Sequence, residues 1–302
     1  MTFRPKSCFL ASLIIGILAF TGPLSNRARA DIFYVSNQTS AKVQMYDGNG
    51  TFLGTFANGP TTTEAITFDS AGNAYVLGAS ANVVEKYSPT GTDLGVYASL
   101  GLNSPIAAAF DSSGNLFVSN FFNNGSVIKF GPGGSPATVF GTAGTNGHGL
   151  AFDSSGNVFV SDFGGNRIMK FTSAGVPSVF ATTSKPTGLA FDSQGNLYAA
   201  NSQGNTITKF SAAGANLGVF ASTNISSPDG LAFDSSGNLY VANAGGNTIT
   251  RYSSAGAYLG VFTSSNLSMP VWITIQVPEP ASISVLGLGV AGLMLRRRHF
   301  RG

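Results

Sequence analysis

The sequence predicts an all-β fold: a six-bladed β-propeller of four-stranded antiparallel blades, its ring closed by the N- and C-terminal strands. Three observations carry that prediction. First, a Phe-Asp pair returns at Phe68-Asp69, Phe110-Asp111, Phe152-Asp153, Phe191-Asp192 and Phe233-Asp234, at spacings of 42, 42, 39 and 42 residues. A fixed period near 40 marks a propeller, a solenoid or an array. Second, each period holds four short runs of β-branched and aromatic residues separated by Gly, Ser and Asn, with no 3.6-residue period between 31 and 277. Four antiparallel strands in such a span make one propeller blade. Third, the two ends of the repeat region complement each other.

That complementarity sets the blade count. Residues Ile32–Asn37, Lys42–Tyr46 and Phe52–Phe56 match the second, third and fourth strands of a blade, and the first is missing. The first-strand pattern appears alone at Val271–Val277, with Ile275 standing 42 residues after Phe233. Pairing these segments completes a sixth blade and removes exposed sheet edges.

Within each unit the order is constant. An LAFD-type strand (Leu189–Asp192) leads through a Ser-x-Gly-Asn turn to an LYVAN-type strand (Leu239–Asn243). A Gly/Asn turn leads to a strand such as Thr206–Phe210, and a Ser/Ala/Gly turn to one such as Leu217–Phe220. The repeated Asp is expected to accept hydrogen bonds from its own turn. A calcium loop would need further oxygen ligands where Ser and Gly stand.

The ends read as address signals. Arg4 and Lys6 precede the apolar run Phe9–Phe20, and Ala28-Arg29-Ala30 offers a small-x-small cleavage site after Ala30. Twelve residues reach about 18 Å as a helix, short of a bilayer core of roughly 30 Å. Residues 1–30 are therefore expected to be a signal peptide and 31–277 the propeller. The remaining segment, 278–302, holds Pro278-Glu279-Pro280, an apolar run Ala281–Leu295 and a basic end, Arg296 to Arg301. Its 15 apolar residues span about 23 Å, a marginal anchor whose arginines favour the cytoplasmic side.

The net charge of +3 belongs to these ends, which hold eight of the 16 Lys and Arg. The body keeps eight, against 12 of the 13 acidic residues, so no basic track for nucleic acid is present. Cys8 is the only cysteine, which excludes disulfides and cysteine metal sites in the body. His148 is the only histidine there, and no G-x-S-x-G elbow occurs. Trp272, the single tryptophan, is expected to plug the core at the closing seam.

Val160–Phe171, VSDFGGNRIMKF, resembles the strand–turn–strand signature of the NHL-repeat propellers, with looser copies at Asn201–Phe210 and Asn243–Tyr252. The resemblance implies the propeller and leaves function open. The tail resembles the PEP-CTERM sorting signal of Gram-negative bacteria that make exopolysaccharide. It implies export to the cell surface, transient anchoring in the inner membrane by the C-terminal helix, and processing near Pro278-Glu279-Pro280 by an exosortase-type enzyme. Export machinery is then a partner, and exopolysaccharide or surface proteins are possible ones.

Candidate site residues come from the repeat alignment. Four residues before each Phe-Asp stand Glu64, Ile106, His148, Thr187 and Asp229, with Val271 in the closing strand. This position varies where its surroundings repeat, and it should face the channel mouth. The second-to-third strand turns should open on the same face, adding Asn120, Asp162 and Asn201. Carboxylates with an imidazole could hold a divalent cation. Gluconolactonase-like propellers use a Glu/Asn/Asp metal site in this region, and virginiamycin-lyase-like enzymes a His and a Glu; here the residues come singly, without the flanking signatures. Two functions follow: a binding or structural module of the envelope or exopolysaccharide matrix, without a cofactor, or a metal-dependent lactonase- or lyase-like enzyme using Glu64, His148 and Asp229.

Overall fold

In the computed structural model, described for residues 31–276, 24 strands form six four-stranded antiparallel sheets. The first blade joins β24 (Pro270–Gln276) to β1 (Ile32–Asn37), β2 (Lys42–Tyr46) and β3 (Phe52–Asn58). The second is β4 (Thr63–Phe68), β5 (Ala74–Gly78), β6 (Val83–Tyr87) and β7 (Asp93–Ala98), and the third β8 (Pro105–Phe110), β9 (Leu116–Asn120), β10 (Ser126–Phe130) and β11 (Ala137–Thr142). The fourth is β12 (Gly147–Phe152), β13 (Val158–Asp162), β14 (Arg167–Phe171) and β15 (Pro177–Thr182), and the fifth β16 (Pro186–Phe191), β17 (Leu197–Asn201), β18 (Thr206–Phe210) and β19 (Asn216–Ala221). The sixth is β20 (Pro228–Phe233), β21 (Leu239–Asn243), β22 (Thr248–Tyr252) and β23 (Tyr258–Thr263). No helix occurs among the described residues. Val277, the leader with Ala30, and the tail with Pro278, Glu279 and Pro280 lie outside them.

The ring closes through its ends. β24 pairs antiparallel with β1, from Ile32 opposite Gln276 to Asn37 opposite Pro270. Each innermost strand also lies against the innermost strands of both neighbouring blades. Segment 31–276 thus holds all six blades and both closing strands.

Adjacent blades are held by rings. The second strand of each blade carries an aromatic residue at the same position: Tyr34, Tyr75, Phe117, Phe159, Tyr198 or Tyr240. Tyr198 meets Phe220 of its own fourth strand at 4.8 Å and Phe233 of the next blade at 4.9 Å, both edge-on. Tyr75 repeats this with Tyr97 and Phe110 at 4.7 and 4.8 Å. Such pairs contribute about 0.5–1.5 kcal/mol each beyond area burial. At the seam Ile275 replaces the Phe, and Phe33 fills the space, 4.7 Å from Tyr240. Trp272, partly buried, packs against three of the six core clusters and plugs the ring from the closing strand.

The repeated Asp is scaffold. Asp192 Oδ1 accepts the backbone N–H groups of Gln194 and Asn196, and Oδ2 accepts from the Asn196 amide and the Tyr198 hydroxyl. Gly195 takes φ +80° in that turn, which favours glycine. Lys209 lies 5.1 Å above the Tyr198 ring and 3.5 Å from Asp192, so a third-strand lysine is occupied within its own blade.

Two variants separate ring packing from the hydroxyl contact. Tyr198→Ala is expected to cost about 3–5 kcal/mol, read as a drop in the thermal or urea midpoint. Tyr198→Phe keeps both ring contacts and is expected to cost no more than about 1.5 kcal/mol.

Candidate functional site

All six innermost strands carry a β-bulge at their mouth end. In β12 Gly147 pairs with Asp162, yet the next pair is Leu150 with Val160, so His148 and Gly149 stand opposite the single residue Ser161. Shifts in the same place set Glu64 and Ala65 of β4 opposite Leu77, and Asp229 and Gly230 of β20 opposite Ala242. In β8, β16 and β24 the shift falls at Ile106, Thr187 and Val271. A bulge re-aims a side chain at the rim of a closed sheet. Here it frees one residue per blade from the ladder. In five of the six strands a small residue follows, because the inner strands nearly touch: a Cβ on Gly230 would stand 2.7 Å from the Cα of Trp272 and 2.8 Å from the carbonyl of Val271.

Four of these freed side chains, Glu64, Ile106, His148 and Asp229, meet in one cavity of 480 Å³ at the channel mouth. Glu64, His148 and Asp229 form its polar floor. Gln38, Asn82, Asn103 and Ser104 line its wall, and Phe121 and Phe122 its apolar side. Glu64 is 3% exposed, and its Oε1 accepts a hydrogen bond from Gln38 Nε2 at 2.6 Å. His148 Nδ1 and Asp229 Oδ1 stand 3.7 Å apart, too far for a hydrogen bond. Both atoms are buried and neither has another partner among the described residues. Phe121 and Phe163 flank the imidazole at 6.2 and 6.1 Å.

Burial drives all three groups toward their neutral forms. It pushes Glu64 up to about 8, helped by the nearby charge of Asp229 and opposed by the Gln38 amide. It pushes Asp229 up to about 7 and His148 down to about 4. Near pH 7 the floor therefore offers a protonated carboxyl and an uncharged imidazole.

Asn120, Asp162 and Asn201 lie elsewhere. Each sits at the end of a second strand and turns into the loop that enters its own blade. Asp162 Oδ1 accepts the backbone N–H groups of Thr145, Asn146 and Gly165 at 3.0–3.1 Å, and its Oδ2 accepts from Arg167 Nε at 3.0 Å. Asn120 accepts from the Asn103 N–H and donates to the Gly101 carbonyl and Ser126 hydroxyl. Asn201 accepts from Thr183 and donates to Thr206 and Thr208. These oxygens are taken, and among the described residues no three His, Cys, Asp or Glu side chains come close enough to share a metal ion. The Glu/Asn/Asp metal set does not fit this arrangement.

Repeat spacing alone does not mark the aromatic wall. The turn from Asn120 to Ser126 is one residue longer than its counterparts, such as Asp162 to Arg167, and it carries Phe121 and Phe122 where other blades have mostly small residues. That departure from the repeat was a readable signal.

Fold and cavity define a six-bladed propeller with one differentiated mouth. Residues 179–276 match the SMP-30/Gluconolactonase/LRE-like region, and residues 276–298 the PEP-CTERM protein-sorting motif. The chain thus carries an SGL/NHL-like propeller domain with a PEP-CTERM motif at its C-terminus. The motif points to export and a cell-surface destination, and implies processing by exosortase-type machinery. No curated protein matches the sequence.

Among solved structures, a chain of the Nidogen/Laminin complex is 17% identical, with a TM-score of 0.72 over 81% of this chain and 98% of that one. A protein of unknown function from Bacteroides caccae is 13% identical, with a TM-score of 0.66 over 82% and 98%. Virginiamycin B lyase from Staphylococcus aureus is 16% identical, with a TM-score of 0.57 over 80% and 78%. At these identities the likeness is one of fold.

The buried carboxyl makes a stability prediction. Its folded pKa of about 8 lies above the ordinary 4.5, so the folded state holds the extra proton between these values. Stability from this group is complete below pH 4.5 and is lost as pH rises through 8, by a few kcal/mol in order of magnitude. Thermal midpoints measured from pH 5 to pH 9 are expected to fall more steeply in the parent protein than in Glu64→Gln; equal slopes would contradict the assignment.

Proposed function

We propose that this is an exported propeller that serves as a binding module of the cell surface or the surrounding matrix, with its ligand seated over Glu64, His148 and Asp229. Residues 1–30 are its signal peptide, cut after Ala30. Residues 31–277 are the working ring, and 278–302 hold it transiently in the inner membrane until processing at Pro278-Glu279-Pro280. One observation carries the reading: a ring built almost wholly from repeated scaffold breaks its own repeat at one mouth and there gathers three titratable groups in a cavity.

The chemistry selects the ligand class. A floor that burial keeps nearly uncharged suits a neutral ligand, since a charged one would lose its hydration without a counter-charge. Protonated Glu64 donates, Asp229 and His148 accept, and the amides and hydroxyls of the wall do both. Phe121 and half-exposed Phe122 cover an apolar face. A neutral sugar unit of a surface polysaccharide, with hydroxyl edges and C–H faces, meets these demands.

A second reading rests on the same groups. A carboxyl held protonated near neutral pH beside an uncharged imidazole is a potential acid–base pair, which would suit lactone opening or elimination. That reading rests on Glu64, His148 and Asp229 alone, since Asn120, Asp162 and Asn201 hold loops instead.

One comparison separates the two. Gln at position 64 keeps a hydrogen-bond donor but cannot give up a proton. Saturation-transfer NMR with neutral and uronic oligosaccharides is expected to show neutral binding that survives Glu64→Gln and EDTA and is lost in Phe122→Ala with Asp229→Ala. Turnover of a lactone panel that vanishes in Glu64→Gln would favour the enzyme; silence in both assays would sink both readings.

A further inference from the structure

On the face opposite the mouth, the turns that carry the repeated Asp of neighbouring blades bound crevices. Three of these, of 430, 460 and 380 Å³, lie between the second and third, the fourth and fifth, and the fifth and sixth blades. Each is lined by an Asp from both blades and by the second-strand aromatic of the earlier one. Where that aromatic is tyrosine, its hydroxyl donates to the Asp of its own blade. Tyr75 reaches Asp69 Oδ2 at 2.9 Å, and Tyr198 reaches Asp192 Oδ2 at 3.1 Å. Of the three crevices, the one between the fourth and fifth blades alone is built on phenylalanine, Phe159. There Asp153 Oδ2 accepts from the Asn157 amide at 2.7 Å, and the nearest cation, Lys170 Nζ, stands 3.8 Å away, beyond hydrogen-bond reach. A carboxylate oxygen can accept two hydrogen bonds. Asp153, Asn157, Phe159 and Lys170 all line the crevice.

We propose that this crevice is a second binding site, in which a hydroxyl of a neutral sugar unit takes the place that the tyrosine hydroxyl holds in the neighbouring blades. The sugar hydroxyl donates to Asp153 Oδ2 and accepts from Lys170 Nζ, so both bonds are charge-assisted. Lysine balances the carboxylate on each wall: Lys170 lies 3.8 Å from Asp153, and Lys209 3.5 Å from Asp192. The crevice therefore has no net charge to offset the desolvation of a charged ligand. Exposed Ser154, Ser155, Ser193 and Gln194 supply further donors and acceptors along its walls. Phe159 and Phe191, edge-on at 5.0 Å, form an apolar base for the C–H face of a sugar ring. Its volume of 460 Å³ is within the range of small-molecule sites. The site shares no residue with the mouth cavity, so it stands or falls separately from the reading given for Glu64, His148 and Asp229.

The test is amide-correlation NMR of nitrogen-labelled segment 31–276, which holds all six blades. The probes are methyl glycosides of glucose, galactose, mannose and N-acetylglucosamine, with methyl glucuronoside as the charged control. A neutral glycoside is expected to shift the Asn157 side-chain amide and the backbone N–H groups of Ser155 and Gly195; the glucuronoside is not. Phe159→Tyr gives Asp153 a hydroxyl from its own blade and should weaken this binding by about tenfold or more, the effect of one hydrogen bond to a charged group. Tyr198→Phe does the reverse: it opens the Asp192 carboxylate and should bring new shifts at the Asn196 amide. Phe122→Ala with Asp229→Ala should remove shifts at the mouth and leave those at Asn157 unchanged. Binding at Asn157 that survives Phe159→Tyr in a protein of unchanged thermal midpoint would overturn the proposal. So would an equal response to the glucuronoside, or no shift at Asn157 from any neutral glycoside at high millimolar concentration.

Discussion

Every blade depends on the ring seated between it and its neighbour. The second-strand aromatic is edge-on to a ring of its own fourth strand and, in most blades, to a first-strand Phe of the next blade. It therefore ties three strands from two sheets with one side chain. Because the same residue recurs in each blade, the geometry of one junction sets that of all. The flanking Asp turn and third-strand lysine hold that ring in place from the blade's own residues. A fold with few charges and no body cysteine is stabilised by repetition of a single contact rather than by any one strong bond.

The same repetition explains where specificity can enter. A residue inside the ladder must satisfy its neighbours on both faces, so it repeats. A residue released by a bulge answers to neither partner strand, so it can differ from blade to blade. The released set runs through Glu64, Ile106, His148, Thr187, Asp229 and Val271. Three of the six carry ionisable groups, and they converge because the inner strands approach almost to backbone contact.

The fold was legible because a 42-residue period and a split blade are global features that no local context can overwrite. The cavity was legible only in part. Spacing marks which residue leaves the ladder, and it marks which turns open on the mouth. It does not say what a side chain at the end of a strand will do. Asp162, Asn120 and Asn201 stand beside loops whose backbone N–H or hydroxyl groups need acceptors, and those nearer partners take them. The surroundings of Glu64 and His148 depend on Gln38 and Phe121 arriving from other blades, and no single repeat contains that information.

The direction of the closing strand has a consequence for how the molecule is displayed. β24 begins beside Asn37, at the mouth, and runs away from it to Gln276 opposite Ile32. Both ends of the propeller segment therefore leave from the face opposite the cavity. The sorting motif starts at that same residue, 276. The polarity of this one strand thus puts the start of the sorting motif and the cavity on opposite faces of the ring.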